Sequence, residues 1–133
     1  MLDGRRTKSP QGRSRRRILV VDDEPYVRDA IARYLTHSGY QVDEAGTGLE
    51  ALERMRRVMP DMVLLDLQMP VMNGSAFVEA VRQEPELASA AVVVLSGQSD
   101  ISEEVVNMGA RASLAKPIDL DILLAVVDCV SQT

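Results

Sequence analysis

Five side chains stand out in this sequence because each follows directly on an apolar run. Asp22 and Asp23 follow Ile18–Val21, Asp66 follows Met62–Leu65, Ser96 follows Ala91–Leu95, and Lys116 follows Ala112–Ala115. Three carboxylates, a hydroxyl and an ammonium are together the parts of a phosphoryl-transfer site, where catalysis is positioning plus neutralisation of charge. Close carboxylates repel one another unless a cation sits among them. Hard oxygen ligands with open positions suit Mg²⁺, which keeps several waters and uses few protein groups. Such an ion would also screen an incoming phosphate from the acidic cluster. Lys116 would add a second positive charge and Ser96 a neutral donor, with Asp66 as the candidate nucleophile. Taken singly, four of the five have plainer roles. Asp22 or Asp23 could cap a helix beginning near Pro25, Ser96 could cap the next helix, and Lys116 could be a loop lysine before Pro117. Their shared placement favours a site.

That placement depends on the elements carrying them. Besides the three strong apolar runs there are weaker ones at Gln41–Ala45 and Ala112–Ala115. Between the runs, apolar residues recur at the three-and-four spacing of a helix face. These are Val27, Ala30, Ile31, Tyr34 and Leu35, then Leu49, Leu52 and Met55, then Phe77, Ala80 and Val81. Ile101, Val105 and Met108 form a fourth set, and Leu120, Leu123, Leu124 and Val127 a fifth. Gly39 and Gly109 sit where helix C-caps belong, and Pro25 suits a first helical turn. The pattern is α/β: five strands and five helices in strict alternation. Strands that read as unbroken apolar runs are buried on both faces, so the sheet is parallel and lies between helices. In such a sheet the loops leaving the carboxyl ends of the strands form the binding crevice. Only the second strand ends without a chemically useful group, as an edge strand can.

The bulk properties bound the function further. The net charge of −5 hides an uneven distribution: residues 1–17 carry seven bases against Asp3, a net of +6, which leaves −11 on residues 18–133. An acidic body repels nucleic acid, so only the basic arm could touch it. The arm buries nothing and reads as a disordered tail, with a solvated tail as the default role. The expected layout is this arm (1–17), a folded domain (18–130) and a short tail (131–133). No apolar run approaches the roughly 18 residues needed to cross a bilayer. The single cysteine, Cys129, cannot form an internal disulfide, which points to a reducing cytoplasm. It is expected to be a small buried apolar residue. His37 reads as a favourable charge at a helix end. Met55, Met69, Met72 and Met108 read as packing residues.

Four of these segments, in this order and spacing, resemble response-regulator receiver domains. Ile18-Leu19-Val20-Val21-Asp22-Asp23-Glu24 resembles their opening strand. Leu64-Leu65-Asp66-Leu67-Gln68-Met69-Pro70, followed by Met72-Asn73-Gly74, resembles their phosphoacceptor strand and loop. Val93-Val94-Leu95-Ser96-Gly97 and Ala115-Lys116-Pro117 supply the other two signatures. The likeness covers about residues 17–130.

The resemblance implies a doubly wound five-stranded sheet with strand order 2-1-3-4-5. It implies that Asp66 accepts a phosphoryl group from a phosphohistidine on a sensor kinase or phosphotransfer protein. Asp23, Asp66 and the backbone carbonyl of Gln68 would bind Mg²⁺ directly, and Asp22 mainly through water. Ser96 and Lys116 would each contact a phosphoryl oxygen, and the Lys116–Pro117 bond is commonly cis in the family. The domain is a phosphoacceptor that promotes its own phosphorylation and dephosphorylation, rather than an enzyme. One position departs from the family pattern: Ser113 stands where an aromatic switch residue is usual. Output is therefore expected through Gly97–Asp100 and the helix after it.

Two other classes compete with this reading. A haloacid-dehalogenase-type aspartyl-phosphate phosphatase would carry a second Asp two residues after the nucleophile, where this chain has Gln68. A phosphorylation-independent binding module on the same fold would leave the acidic pocket without use, although Ser113 keeps that reading alive. Only Ser131-Gln132-Thr133 follow the last helix, so output is expected through protein contacts or onward phosphotransfer. The first helix is the expected surface for the phosphodonor. The face formed by the fourth helix, fifth strand and fifth helix is the expected surface for the target.

Overall fold

A computed structural model describes residues 16–67, 74–97 and 109–132. Its elements are β1 (Arg17–Val21), α1 (Pro25–His37), β2 (Gln41–Ala45), α2 (Gly48–Arg57), β3 (Met62–Asp66), α3 (Gly74–Arg82), β4 (Ala91–Ser96), β5 (Ala112–Ala115) and α4 (Leu120–Ser131). The five strands form one parallel sheet in the order β2-β1-β3-β4-β5. This is the 2-1-3-4-5 order implied by the resemblance. The fifth expected helix, carrying Ile101, Val105 and Met108, falls outside the described residues, as do Met69 and Met72.

Successive side chains on a strand point to opposite faces, so an unbroken apolar run supplies two cores at once. Along β1, Leu19 and Val21 pack with Val63 and Leu65 of β3 beneath α2 and α3, against Ala51, Leu52, Met55, Phe77 and Val78. Ile18 and Val20, with Leu64, Val93 and Leu95, face the other way onto Ile31 and Leu35 of α1 and Leu123 and Val127 of α4. β1 and β3 therefore hold the centre, and β2 and β5 are edges with largely half-buried residues.

The helices are punctuated by recognisable chemistry. Pro25 lies in the first turn of α1, and Gly39 just past its end takes φ 104°, a left-handed conformation that glycine adopts without penalty. Thr47 caps α2 by accepting the Glu50 N–H, and Asp119 caps α4 by accepting the N–H groups of Asp121 and Ile122. α1 has Glu24 at its N-cap with no side-chain bond, so neither Asp22 nor Asp23 is its cap.

Three packing expectations are corrected. Cys129 is exposed, because it lies off the α4 face defined by Leu123 and Val127. Ala30 is exposed beside the buried Ile31, Ala32 and Leu35. Leu49 is 57% exposed, since it projects from the first turn of α2 while Ala51, Leu52 and Met55 meet the sheet.

Candidate functional site

The sheet ladder delivers each candidate side chain to the same rim. Past β1, the Asp22 N–H donates to the Ala45 carbonyl of β2 at 3.1 Å. Past β3, the Leu67 N–H donates to the Leu95 carbonyl at 3.1 Å, and past β5 the Lys116 N–H donates to the Ser96 carbonyl at 2.7 Å. Asp66 pairs in register with Leu95, and Ser96 with Ala115. The backbone on either side of the crevice is thereby fixed before any side-chain interaction is counted.

Asp22 and Asp66 are 0% and 2% exposed, a placement that is costly for carboxylates without a partner. Lys116 supplies that partner to both. Its Nζ lies 3.5 Å from Asp22 Oδ2 and 3.3 Å from Asp66 Oδ2. Burial works against the charged ammonium, but the combined field of Asp22 and Asp66 outweighs it and raises the Lys116 pKa above its ordinary value. The second oxygen of Asp22, Oδ1, accepts the Glu24 N–H at 2.8 Å. The Lys116–Pro117 peptide is cis.

Asp23 is exposed at the mouth. Asp22, Asp23 and Asp66 each present an oxygen within 4.8 Å of the others, a spread that one divalent ion can bridge. An all-carboxylate donor set, one member solvent-facing and two buried, fits Mg²⁺, a hard ion that retains waters. Ser96 ends β4 half-buried, and Ser113 lies in β5 opposite Val94, also half-buried. Gln68, whose carbonyl was the remaining expected ligand, lies outside the described residues, as do residues 98–108.

Reading the sequence alone missed Arg28, which enters the site from behind. Its Nη1 donates to the Asp22 carbonyl at 2.8 Å, and its Nε donates to Glu44 Oε1 at 3.1 Å. No local spacing relates residues 28 and 44; they meet only because α1 packs beside the edge strand β2. On the opposite side of α1, Tyr26, Val27, Ala30 and Ile31 face Pro117, Ile118 and Leu120 across a mainly apolar groove of about 370 Å³ that ends at Lys116.

A parallel sheet with these residues at its carboxyl rim defines a receiver domain. The response regulator receiver domain family matches residues 18–128, and the chain belongs to that family, whose members act in two-component signalling. Among relatives, the response regulator MprA of Mycobacterium leprae is 38% identical over 111 residues, covering 82% of this chain and 48% of the relative. Sporulation initiation phosphotransferase F of Bacillus subtilis is 32% identical over 105 residues, covering 79% of this chain and 85% of the relative. The chain thus spans about half the length of the MprA relatives it matches. The solved chemotaxis response regulator CheY4 of Vibrio cholerae superposes with a TM-score of 0.82 at 31% identity, covering 86% of this chain and 98% of that one. No helix among the described residues is long and apolar enough to cross a membrane.

Proposed function

We propose that this domain accepts a phosphoryl group on Asp66 from a phosphohistidine donor and passes the signal on through altered protein contacts or onward phosphotransfer. The observation that carries the reading is the convergence of Asp22, Asp23 and Asp66 with Lys116, the ammonium bridging both buried carboxylates. In this reading an Asp66 carboxylate oxygen attacks phosphorus. The new P–O bond forms as the P–N bond to the donor imidazole breaks, and the imidazole leaves with the bonding electron pair and takes up a proton. Lys116 follows the transferring group and offsets the charge on one of its oxygens, while Ser96 donates a hydrogen bond to another. Mg²⁺, when bound, supplies the remaining charge neutralisation. Asp23, Asp66 and the Gln68 carbonyl would hold it directly. Asp22 has one oxygen on the Glu24 N–H and the other on Lys116, which favours its acting through water.

The phosphodonor docks along α1, where Tyr26 is 91% exposed on the lip of the groove leading to Lys116. The folded unit extends one residue beyond the expected 18–130 at each end, since Arg17 opens β1 and Ser131 closes α4, with a basic arm before it and a short tail after it, and it works in the cytoplasm. Output goes through Gly97–Asp100 and the segment after it, because Ser113 has no ring to move inward. Ser113 also supports a second reading, a binding module that needs no phosphorylation. Incubation with acetyl phosphate and Mg²⁺ separates the two: uptake of a phosphoryl group on Asp66 supports the first, and partner binding without uptake supports the second.

A further inference from the structure

We infer that Arg28 is a positioning residue for the acidic loop: held by Glu44 and given room by Gly46, its guanidinium fixes the Asp22 carbonyl and presets the Asp22–Asp23 peptide for a divalent cation. This rests on the Mg²⁺ reading proposed above.

Arg28 lies one turn into α1, its N–H bonded to the Glu24 carbonyl at 3.0 Å. A guanidinium is a rigid planar fork, so a partner on one nitrogen aims the others. Here Glu44 accepts from Nε, and Nη1 is thereby directed to the Asp22 carbonyl. Gly46 borders that path: a Cβ built there would stand 3.0 Å from Arg28 Nη1. Gly46 is itself tied down, its N–H donating to Glu50 Oε1 at 2.7 Å.

The effect falls on Asp22. Its N–H is bonded to Ala45, its Oδ1 to the Glu24 N–H and its Oδ2 to Lys116. With the carbonyl held by Arg28 as well, the peptide joining Asp22 to Asp23 cannot rotate without breaking a bond. Asp23 is exposed, so the direction of its carboxylate depends on that peptide rather than on neighbouring side chains. Arg28 thus orders a ligand it does not touch.

Charge alone predicts the opposite sign. A nearby guanidinium repels a cation, so its removal should tighten Mg²⁺ binding, although the Glu44 carboxylate offsets most of that field. Loss of positioning should weaken binding. The direction of the change therefore separates the two effects.

The test is a Mg²⁺ titration of the full chain followed by backbone amide chemical shifts, paired with amide hydrogen exchange of the metal-free protein. Arg28→Met should raise the Kd for Mg²⁺ on the order of tenfold, the low end of what losing an outer-shell partner costs. Exchange of the Glu24 amide, which donates to Asp22 Oδ1, should quicken while the core strands keep their protection. Gly46→Ala, which retains Arg28 and Glu44 and displaces only the guanidinium, should weaken Mg²⁺ in the same direction by less. Arg33→Met, which breaks an exposed pair with Asp29 elsewhere on α1, should change nothing. Rates of phosphorylation by acetyl phosphate should recover in Arg28→Met at saturating Mg²⁺. Unchanged or tighter Mg²⁺ binding in Arg28→Met overturns the inference and leaves the Mg²⁺ reading standing. If the wild type takes up no Mg²⁺ at all, both fall.

Discussion

Lys116 holds its ammonium 3.3 Å from Asp66 Oδ2, although β4 lies between the strands that carry the two residues. The side chain crosses the end of β4, where Ser96 sits, and reaches Asp22 on the far side of Asp66 as well. One cation thus ties together the ends of β1, β3 and β5, and it does so while two of its partners are withdrawn from water.

Replacing Lys116 by Met leaves two buried carboxylates without their shared counter-charge. Metal-free Lys116→Met should unfold at lower urea, with a loss of about 2 kcal/mol, discounted from the range for fully buried pairs because Lys116 keeps some solvent contact. Mg²⁺ should return part of that stability. An unchanged midpoint in chelator would mean that the bridge contributes nothing to the fold.

The pH dependence has a defined sign. Because the Lys116 pKa is raised in the fold, its contribution is fully present below the ordinary lysine value of 10.5 and is lost as pH rises through the higher folded value. The stability difference between wild type and Lys116→Met should therefore be flat from neutral pH to about 9.5 and shrink above that. Glu50 behaves in the opposite sense. The Gly46 N–H, aided by Arg54 and opposed by burial, lowers its pKa, so its contribution is present above the ordinary value of 4.5 and fades as pH falls through the folded value. Urea midpoints measured across pH for wild type, Lys116→Met and Glu50→Gln check both limbs.

Metal binding should register as stability. A ligand bound only by the folded state adds RT ln(1 + [L]/Kd), about 2.7 kcal/mol at a hundredfold excess over Kd. The unfolding temperature of the wild type should climb with Mg²⁺, and above Kd it should keep rising with the logarithm of the free ion. Asp23→Asn should lose most of that rise, yet match or exceed the wild type in chelator, because one of three clustered carboxylates is gone. An equal Mg²⁺ shift in both proteins would place the ion elsewhere.

A structural contact away from the rim offers a control. The Tyr40 hydroxyl, on a side chain only 3% exposed, donates to Asp128 Oδ1 at 2.5 Å and ties the start of β2 to α4. Tyr40→Phe should lose about 1 kcal/mol in urea denaturation. Its phosphorylation rate should match the wild type; a fall in rate would show that the α1–α4 side of the sheet communicates with the rim.

The fold was legible because β1 and β3 must bury both faces, and only apolar residues do that. β2 was faint, since an edge strand such as Gln41–Ala45 tolerates Asp43 and Glu44. The chemistry of Asp22, Asp23, Asp66 and Lys116 could be read from position alone, each lying at or just past the end of a strand. Arg28 could not. Its role depends on Glu44 and the Asp22 carbonyl, which chain spacing does not relate and only the order β2-β1 brings together. Cys129 is exposed because helical phase, not residue type, sets which side of α4 meets the sheet.

The most direct measurement is intact-protein mass after incubation with acetyl phosphate and Mg²⁺, comparing wild type with Asp66→Ala. The wild type should gain one phosphoryl group that is stable to acid and labile to base, and the gain should vanish in Asp66→Ala and in chelator. A wild type that gains nothing from acetyl phosphate or from a phosphohistidine donor, or an Asp66→Ala protein that still gains the group, would contradict the account.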